Sequence, residues 1–176
     1  MRKIKLATVW LDGCSGCHMS LLDIDEALEA VAKRIELVYG PPVDAQKFPE
    51  GVDVTLVEEA VSSQDDLAKV QLLRQRSKLV VALGDCAVTS NVPAMRNAIP
   101  AKNILDRVYI EGCDRNAGVP TDGVPKLLKR ALPVQEVVKV DVHLPGCPPP
   151  AKSILFVLSE LLEGRLPDLG SKVKFG

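Results

Sequence analysis

The sequence predicts an α/β protein: a five-stranded parallel sheet, doubly wound, with helices on both faces. Three observations lead there. Five short apolar runs alternate with helix-like stretches along the chain. Runs such as Leu79-Val80-Val81-Ala82-Leu83 are apolar without interruption, as strands buried on both faces are. Four of the five cysteines stand just beyond the ends of such runs, where sheets of this kind build their sites.

The first strand is expected over residues 3–10, where basic-apolar alternation becomes continuous apolar sequence. The turn Asp12-Gly13-Cys14-Ser15-Gly16-Cys17 follows. Ser20 can cap a helix reaching about residue 31, with Leu21, Leu22, Ile24, Leu28 and Val31 on its inner face. Residues 35–39 read as a short second strand, broken by Gly40-Pro41-Pro42. The third strand spans residues 52–57 and ends at Glu58-Glu59. Ser62 or Ser63 caps the next helix, whose first turn carries Asp65 and Asp66 at the positive end of its dipole. That helix runs to about residue 77, and residues 78–83 form the fourth strand. Residues 91–99 fit one irregular helix with Pro93 near its start. Residues 100–133 are the least regular part, and Lys126, Lys129 and Arg130 read there as a solvated helix face. The fifth strand is expected over residues 137–144 and the last helix over 151–163, ended by Gly164. With right-handed crossovers the simplest strand order is 2-1-3-4-5, the flavodoxin-like arrangement. One domain over residues 1–176 accommodates this, with residues 166–176 as a surface extension.

Composition excludes several function classes. Apolar residues make up 47% of the 176, enough for a real core. A formal net charge of −1 gives no electrostatic attraction to nucleic acid or to an anionic membrane. Aromatics at 3% offer no platform on which bases stack. No apolar run approaches the roughly 18–20 residues that cross a bilayer, and no secretory leader is recognisable. Five cysteines without such a leader suit a reducing, cytoplasmic setting.

The chemistry lies in the cysteines. Cys14, Cys17, Cys86 and Cys147 follow the first, fourth and fifth runs, so a parallel sheet delivers all four thiols to one edge. Four converging thiolates make a metal site, and a tetracysteine pocket among glycines suits an iron–sulfur cluster. Gly13, Gly16, Gly84 and Gly146 lie close to these cysteines in sequence and can bring backbone N–H groups near sulfur. Other readings remain at this point. A lone Cys-x-x-Cys can be a redox pair, although that motif usually lacks partners at other strand ends. A structural zinc site usually pairs two such knuckles, whereas Cys86 and Cys147 stand singly. Cys113 follows the shorter run Tyr109-Ile110-Glu111-Gly112 and is set aside, though it too could serve as a ligand. Among the flanking residues, Glu58 is expected to act at the site edge, as a proton relay or by hydrogen bonding. Glu59 reads equally well as a solvated strand end. His18 is placed to donate to a cluster sulfur or to a partner, Trp10 to pack in the core or shield the site, and Asp12 and Asp85 to cap turns.

The segments Trp10-Leu11-Asp12-Gly13-Cys14-Ser15-Gly16-Cys17-His18-Met19-Ser20, Leu83-Gly84-Asp85-Cys86 and Leu144-Pro145-Gly146-Cys147-Pro148-Pro149, in this order, resemble the small subunits of [NiFe]-hydrogenases. The stretch from Gly84 to Pro93 is most similar to the cytoplasmic NAD-reducing (bidirectional) group. That resemblance implies a single [4Fe-4S] cluster held by Cys14, Cys17, Cys86 and Cys147, proximal to a nickel–iron centre in a separate large subunit. It also implies a diaphorase carrying iron–sulfur clusters and FMN that reduces NAD+. Periplasmic members of the family continue into a second domain with further clusters, for which this chain lacks the cysteines. The quinone-oxidoreductase subunit of respiratory complex I looks similar around Pro145-Gly146-Cys147-Pro148-Pro149. Its first motif has adjacent cysteines, however, where Ser15-Gly16 intervenes here. Two rival readings stand beside these: a hydrogenase small subunit serving a deazaflavin or sulfur acceptor, and a zinc-stabilised interaction protein. An FMN cradled by the Gly13–Gly16 turn is a further expectation.

Overall fold

The structure is a computed structural model that describes residues 2–170 and 173–175. Five parallel strands form the main sheet: β1 (Ile4–Val9), β2 (Ile35–Tyr39), β3 (Val52–Glu58), β5 (Ser77–Leu83) and β7 (Val142–Leu144). They lie side by side as β2-β1-β3-β5-β7. The expected order carries over once two further strands are counted into the numbering. Those two, β4 (Val61–Ser63) and β6 (Leu127–Leu132), pair antiparallel in a small second sheet.

Alternation along each strand divides the core between the two faces of the main sheet. Leu6, Val54, Leu56, Val81 and Leu83 face α2 (Ala27–Arg34) and α6 (Ala151–Leu162) through Val31, Ile154, Val157, Leu158 and Leu161. Ala7, Val9, Val57, Val80 and Ala82 face the other way, onto Val70 and Leu73 of α3 (Gln64–Arg76). Successive side chains of a strand point to opposite faces, so a strand covered on both sides must be apolar throughout. Every residue of β3 is buried, and its polar members are all engaged. Thr55 shares a hydrogen bond with Ser77 (2.7 Å), and Asp53 receives Arg2, Lys78 and the Lys5 N–H. Fully burying one such leucine contributes about 2 kcal/mol, so the sheet is held chiefly by its two faces.

Four local expectations need correction. The helix expected from Ser20 to about residue 31 is two helices, α1 (Gly16–Leu22) and α2, with Asp25 left-handed between them at φ 53°. The acidic run Asp23-Ile24-Asp25-Glu26 favours turns over helix interior. Ser20 is then no cap: it is buried inside α1, and its hydroxyl donates to the Pro149 carbonyl (2.5 Å). The fifth strand is only three residues long, because Val134–Glu136 form a 3-10 turn and Val137, Val138 and Val140 pack against the α3-side core. Asp141 then admits the chain to the ladder, its carboxylate taking Arg74 and the Val80 N–H. Lys129 and Arg130 sit on strand β6 rather than on a helix face. Residues 93–98 are 3-10 helix, followed by α5 (Ala101–Asp106) and one π-helical turn, Arg107–Glu111.

Ser63 caps α3 as the sequence suggests, in a reciprocal box with Asp66. Gly164, at φ 72°, follows the last helix. Of the expected C-terminal extension, Leu169 and Val173 pack against the core, and residues 171, 172 and 176 lie outside the described residues. No described helix is long and apolar enough to cross a membrane.

Candidate metal centre at the sheet edge

Strand register sets the stage. Val9 pairs with Val57, Glu58 with Leu83, and Leu83 with Leu144, so β1, β3, β5 and β7 end at nearly one level. The loops that leave β1, β5 and β7 carry Cys14 and Cys17, Cys86, and Cys147. β1 is also where the winding reverses, with β2 on one side and β3 on the other. Sites in open α/β sheets form at such a reversal, beyond the carboxyl ends of the strands.

The first loop is anchored by two carboxylates from the end of β3. Glu58 is 1% exposed and accepts the N–H groups of Cys17 (2.9 Å) and His18 (3.1 Å); its Oε2 also meets His18 Nδ1. Glu59 is 4% exposed and accepts the N–H groups of Leu11 (3.1 Å) and Ser15 (2.6 Å). Between those contacts, Asp12 and Ala60 exchange two backbone hydrogen bonds of 3.1 Å each. Glu59 reaches this position from a left-handed backbone at φ 81°. For a residue with a side chain that conformation costs about 1–2 kcal/mol, sustained only where the surroundings hold it. Gly13 provides the room, since a Cβ there would stand 2.5 Å from Glu59 Cγ.

The other two loops are tied to each other. Gly84 N–H donates to the Leu144 carbonyl (2.8 Å), Asp85 N–H to the Gly146 carbonyl (2.9 Å), and Gly146 N–H to Asp85 Oδ1 (2.6 Å). Cys86 opens into the short helix α4 (Asp85–Thr89) and receives a hydrogen bond from the Val92 N–H. A Cβ on Gly84 would lie 2.2 Å from Cys17 Sγ, so the absence of a side chain lets the first and second cysteine loops meet. Gly16 likewise leaves space near Cys14 Sγ, at 3.3 Å. The glycines were expected to offer N–H groups to sulfur, but those of Gly84 and Gly146 are engaged elsewhere. Their contribution is space.

Electrostatics tie the four thiols into one group. Burial pushes the Cys17 thiol up to about 12, reinforced by the charges of Cys86, Cys14, Cys147 and Glu59. Burial also raises Cys86, with Cys147, Cys14 and Glu59 adding to it and the Val92 hydrogen bond opposing. Sulfurs this close resist ionising together unless a cation or metal cluster binds them, and thiolates are the form that metals bind. The donor set and the glycine-made space therefore fit a thiolate-bound group. Yet among the described residues no three His, Cys, Asp or Glu side chains close around a point that could hold a single metal ion.

Cys113 is exposed, donates its thiol to the Arg115 carbonyl (3.0 Å) and takes no part in this group. His18 is not free to serve sulfur through Nδ1, which Glu58 engages, and burial lowers it to about 4. Its Nε2 is buried without a hydrogen-bond partner, and Trp10 packs edge-on against its ring, with centroids 5.4 Å apart. Trp10 is 43% exposed, so it is no core residue. Asp85 does hold a turn. Glu59, expected equally well to be a solvated strand end, is instead buried; its signal is a charged pair set between the β3 run and Ala60-Val61. Met19, Val92 and Met95 are exposed beside the cysteine loops.

An α/β sheet with four thiols at its switch point defines a class, that of doubly wound proteins whose site lies beyond the carboxyl ends of the strands. Residues 14–161 match the model of the NADH ubiquinone oxidoreductase 20 kDa subunit family, and the chain belongs to that family. It is 35% identical over 176 residues to subunit delta of the NAD-reducing hydrogenase HoxS of Cupriavidus necator, covering 97% of this chain and 84% of the relative. It is 37% identical over 172 residues to a subunit of the F420-non-reducing hydrogenase vhu of Methanocaldococcus jannaschii, covering 97% of this chain and 60% of that longer relative. Among solved structures, a chain of an NAD+-reducing [NiFe]-hydrogenase in the H2-reduced state superimposes with a TM-score of 0.93 at 36% identity, covering 98% of both chains.

Proposed function

We propose that this chain is the electron-transfer small subunit of a cytoplasmic NAD-reducing [NiFe]-hydrogenase, with Cys14, Cys17, Cys86 and Cys147 holding one [4Fe-4S] cluster. The observation that carries the reading is the meeting of four chain-distant thiols at one sheet edge, in a chain superimposable along 98% of its length on a subunit of such an enzyme. When bound, the cluster supplies a one-electron relay. Cys17 and Cys86 form the half-buried inner side of its seat, and Cys14 and Cys147 form the exposed rim. Met19, Val92 and Met95 around that rim suit burial against a large subunit that carries the nickel–iron centre. Electrons then pass to a diaphorase with iron–sulfur clusters and FMN, which reduces NAD+. All five thiols are free of disulfides among the described residues, in keeping with a cytoplasmic setting.

Two rivals fare less well. Zinc needs four sulfurs about 2.3 Å from one point, and these side chains do not close on such a point. FMN at the Gly13–Gly16 turn needs free N–H groups for its phosphate, and those of Ser15, Cys17 and His18 already serve Glu59 and Glu58. No flavin is proposed on this chain. Acceptors other than NAD+ remain distinguishable by the company the chain keeps. Anaerobic purification from the native cell, with iron and sulfide assay, electron paramagnetic resonance after reduction and identification of co-purifying subunits, tests the whole reading. Four irons per chain alongside a nickel subunit and a flavin-bearing diaphorase are expected. A colourless protein, or one carrying zinc alone, would overturn it.

A further inference from the structure

Two acidic residues end β3, but only one of them bends the backbone out of its ordinary range. Glu59 stands at φ 81°, where glycine is the usual occupant, and is almost fully buried. Both its oxygens accept: Oε2 from Leu11 N–H and Oε1 from Ser15 N–H, with no donor pointing away from it. That pattern suits an ionised carboxylate, since a protonated one would need an acceptor for its own O–H; burial raises the group, and the Ser15 and Leu11 amides oppose that rise. The two N–H groups bracket Asp12-Gly13-Cys14. The Ser15 contact lies between Cys14 and Cys17, at a residue itself left-handed at φ 63°. Gly13 lacks the side chain that would strike Glu59 Cγ, Cδ and Oε1 at 2.5, 2.7 and 2.8 Å. Four features thus converge: the positive φ, the burial, the paired amides and the glycine opposite. The Asp12–Ala60 bridge ties the same loop to the β3–β4 turn between the two amide contacts.

We propose that Glu59 is a positioning residue for the cysteine centre: it sets the separation of Cys14 and Cys17 through the Ser15 amide and lays a fixed negative charge beside the cluster. The inference rests on the reading of the four cysteines as cluster ligands. The Glu59 carboxylate is held at the Ser15 N–H, one residue from Cys14 and two from Cys17. A negative charge at that place disfavours adding an electron, so Glu59 holds the cluster's reduction potential down.

The test uses the full chain, reconstituted anaerobically with iron and sulfide, as wild type, Glu59→Gln and Glu59→Gly. In Glu59→Gln the charge goes while the shape stays. At a fixed ambient potential the ratio of reduced to oxidised cluster should rise about tenfold, 59 mV for a one-electron couple. Glu59→Gly removes the carboxylate and the left-handed strain together. Its unfolding temperature without iron should hold or rise, while iron release to a chelator quickens about tenfold and the paramagnetic spectrum changes. A residue that merely supported the fold would do the opposite, lowering the unfolding temperature and leaving potential and spectrum alone. Wild type that takes up no iron overturns the reading of the site and this inference with it. Wild type that loads normally, beside two variants with its potential, spectrum and release rate, overturns the inference alone.

Discussion

Replacing Gly84 with alanine probes the geometry of the centre without substituting any of the four cysteines. The backbone at Gly84 lies at φ 86° and ψ 162°, a region that glycine alone enters freely. Holding an alanine there costs about 1–3 kcal/mol. The new methyl would also stand 2.2 Å from Cys17 Sγ and 3.4 Å from the Gly146 carbonyl oxygen. Overpacking of that kind adds about 1–3 kcal/mol if nothing yields. A chain of this size loses about 2–4 °C of melting temperature per kcal/mol. If the loop holds, the metal-free variant should therefore melt roughly 4–24 °C lower than wild type. If Cys17 instead swings away, the stability loss shrinks to the backbone share, and the centre loses its innermost thiol. The two escapes separate cleanly when melting temperature and iron per chain are measured on one preparation, because relief of one loss requires the other. Alanine at this position with wild-type melting and wild-type iron would refute the reasoning, since nothing else near Gly84 could absorb the methyl.

Three other outcomes follow from the same coordinates. Cys86→Ser should abolish or destabilise the bound cluster, whereas Cys113→Ser should leave iron and spectrum unchanged, because the Cys113 thiol lies exposed against Arg115 and outside the group; iron and sulfide assay of both variants decides. Asp53→Asn should change the pH dependence of unfolding. Burial alone would raise Asp53, but Arg2, Lys78 and the Lys5 N–H hold it down to about 2, against an ordinary 3.8. Its contribution is therefore fully present above pH 3.8 and fades as pH falls towards 2. Since Arg2 and Lys78 are 63% and 67% exposed, screening limits the effect to about 1 kcal/mol, and denaturant titrations of both proteins should converge near the acid end. Ser63→Ala removes the acceptor for Asp66 N–H (3.1 Å) and should lower the melting temperature by about 2–4 °C, the loss of about 1 kcal/mol, with no change in iron binding.

What the sequence made legible followed from burial on two faces. Strands β1, β3 and β5 are mostly apolar on both faces because helices cover both sides of the sheet, and that pattern survives any detail of their pairing. The Ser63 cap was legible because its partner, Asp66, is three residues away. The rest was hidden where partners are distant. Nothing local shows that Leu127–Leu132 pairs with Val61–Ser63, or that Arg96 and Asn97 reach the carbonyls of Ser62, Leu128 and Ala131 to support that small sheet. Val137 to Val140 reads as strand because apolar packing onto a face and pairing in a ladder give the same pattern over four residues. The gathering of the four cysteines at one edge could be read from their places after strands. The reach of Glu59 to residues 11 and 15 could not, because it depends on a backbone torsion.

The acidity of the β3 terminus has a simple cause in the strand order. β3 lies between β1 and β5, both of which send cysteines over the sheet edge, so their loops close across its end. Tight loops leave N–H groups pointing inward, and buried donors must find acceptors. Just past β3 the Ala60 carbonyl takes the Asp12 N–H, and the carboxylates of Glu58 and Glu59 take four more N–H groups. Glu58, the last residue of β3, takes the N–H groups at the start of α1, and the left-handed turn at Glu59, just past the strand, carries the second carboxylate to residues 11 and 15. The pair holds the loop on both flanks, with the Asp12–Ala60 bridge between them. On the reading of Cys14 and Cys17 as ligands, this presets their positions before a metal arrives, the condition under which a surface site assembles a cluster rather than a disordered thiolate complex.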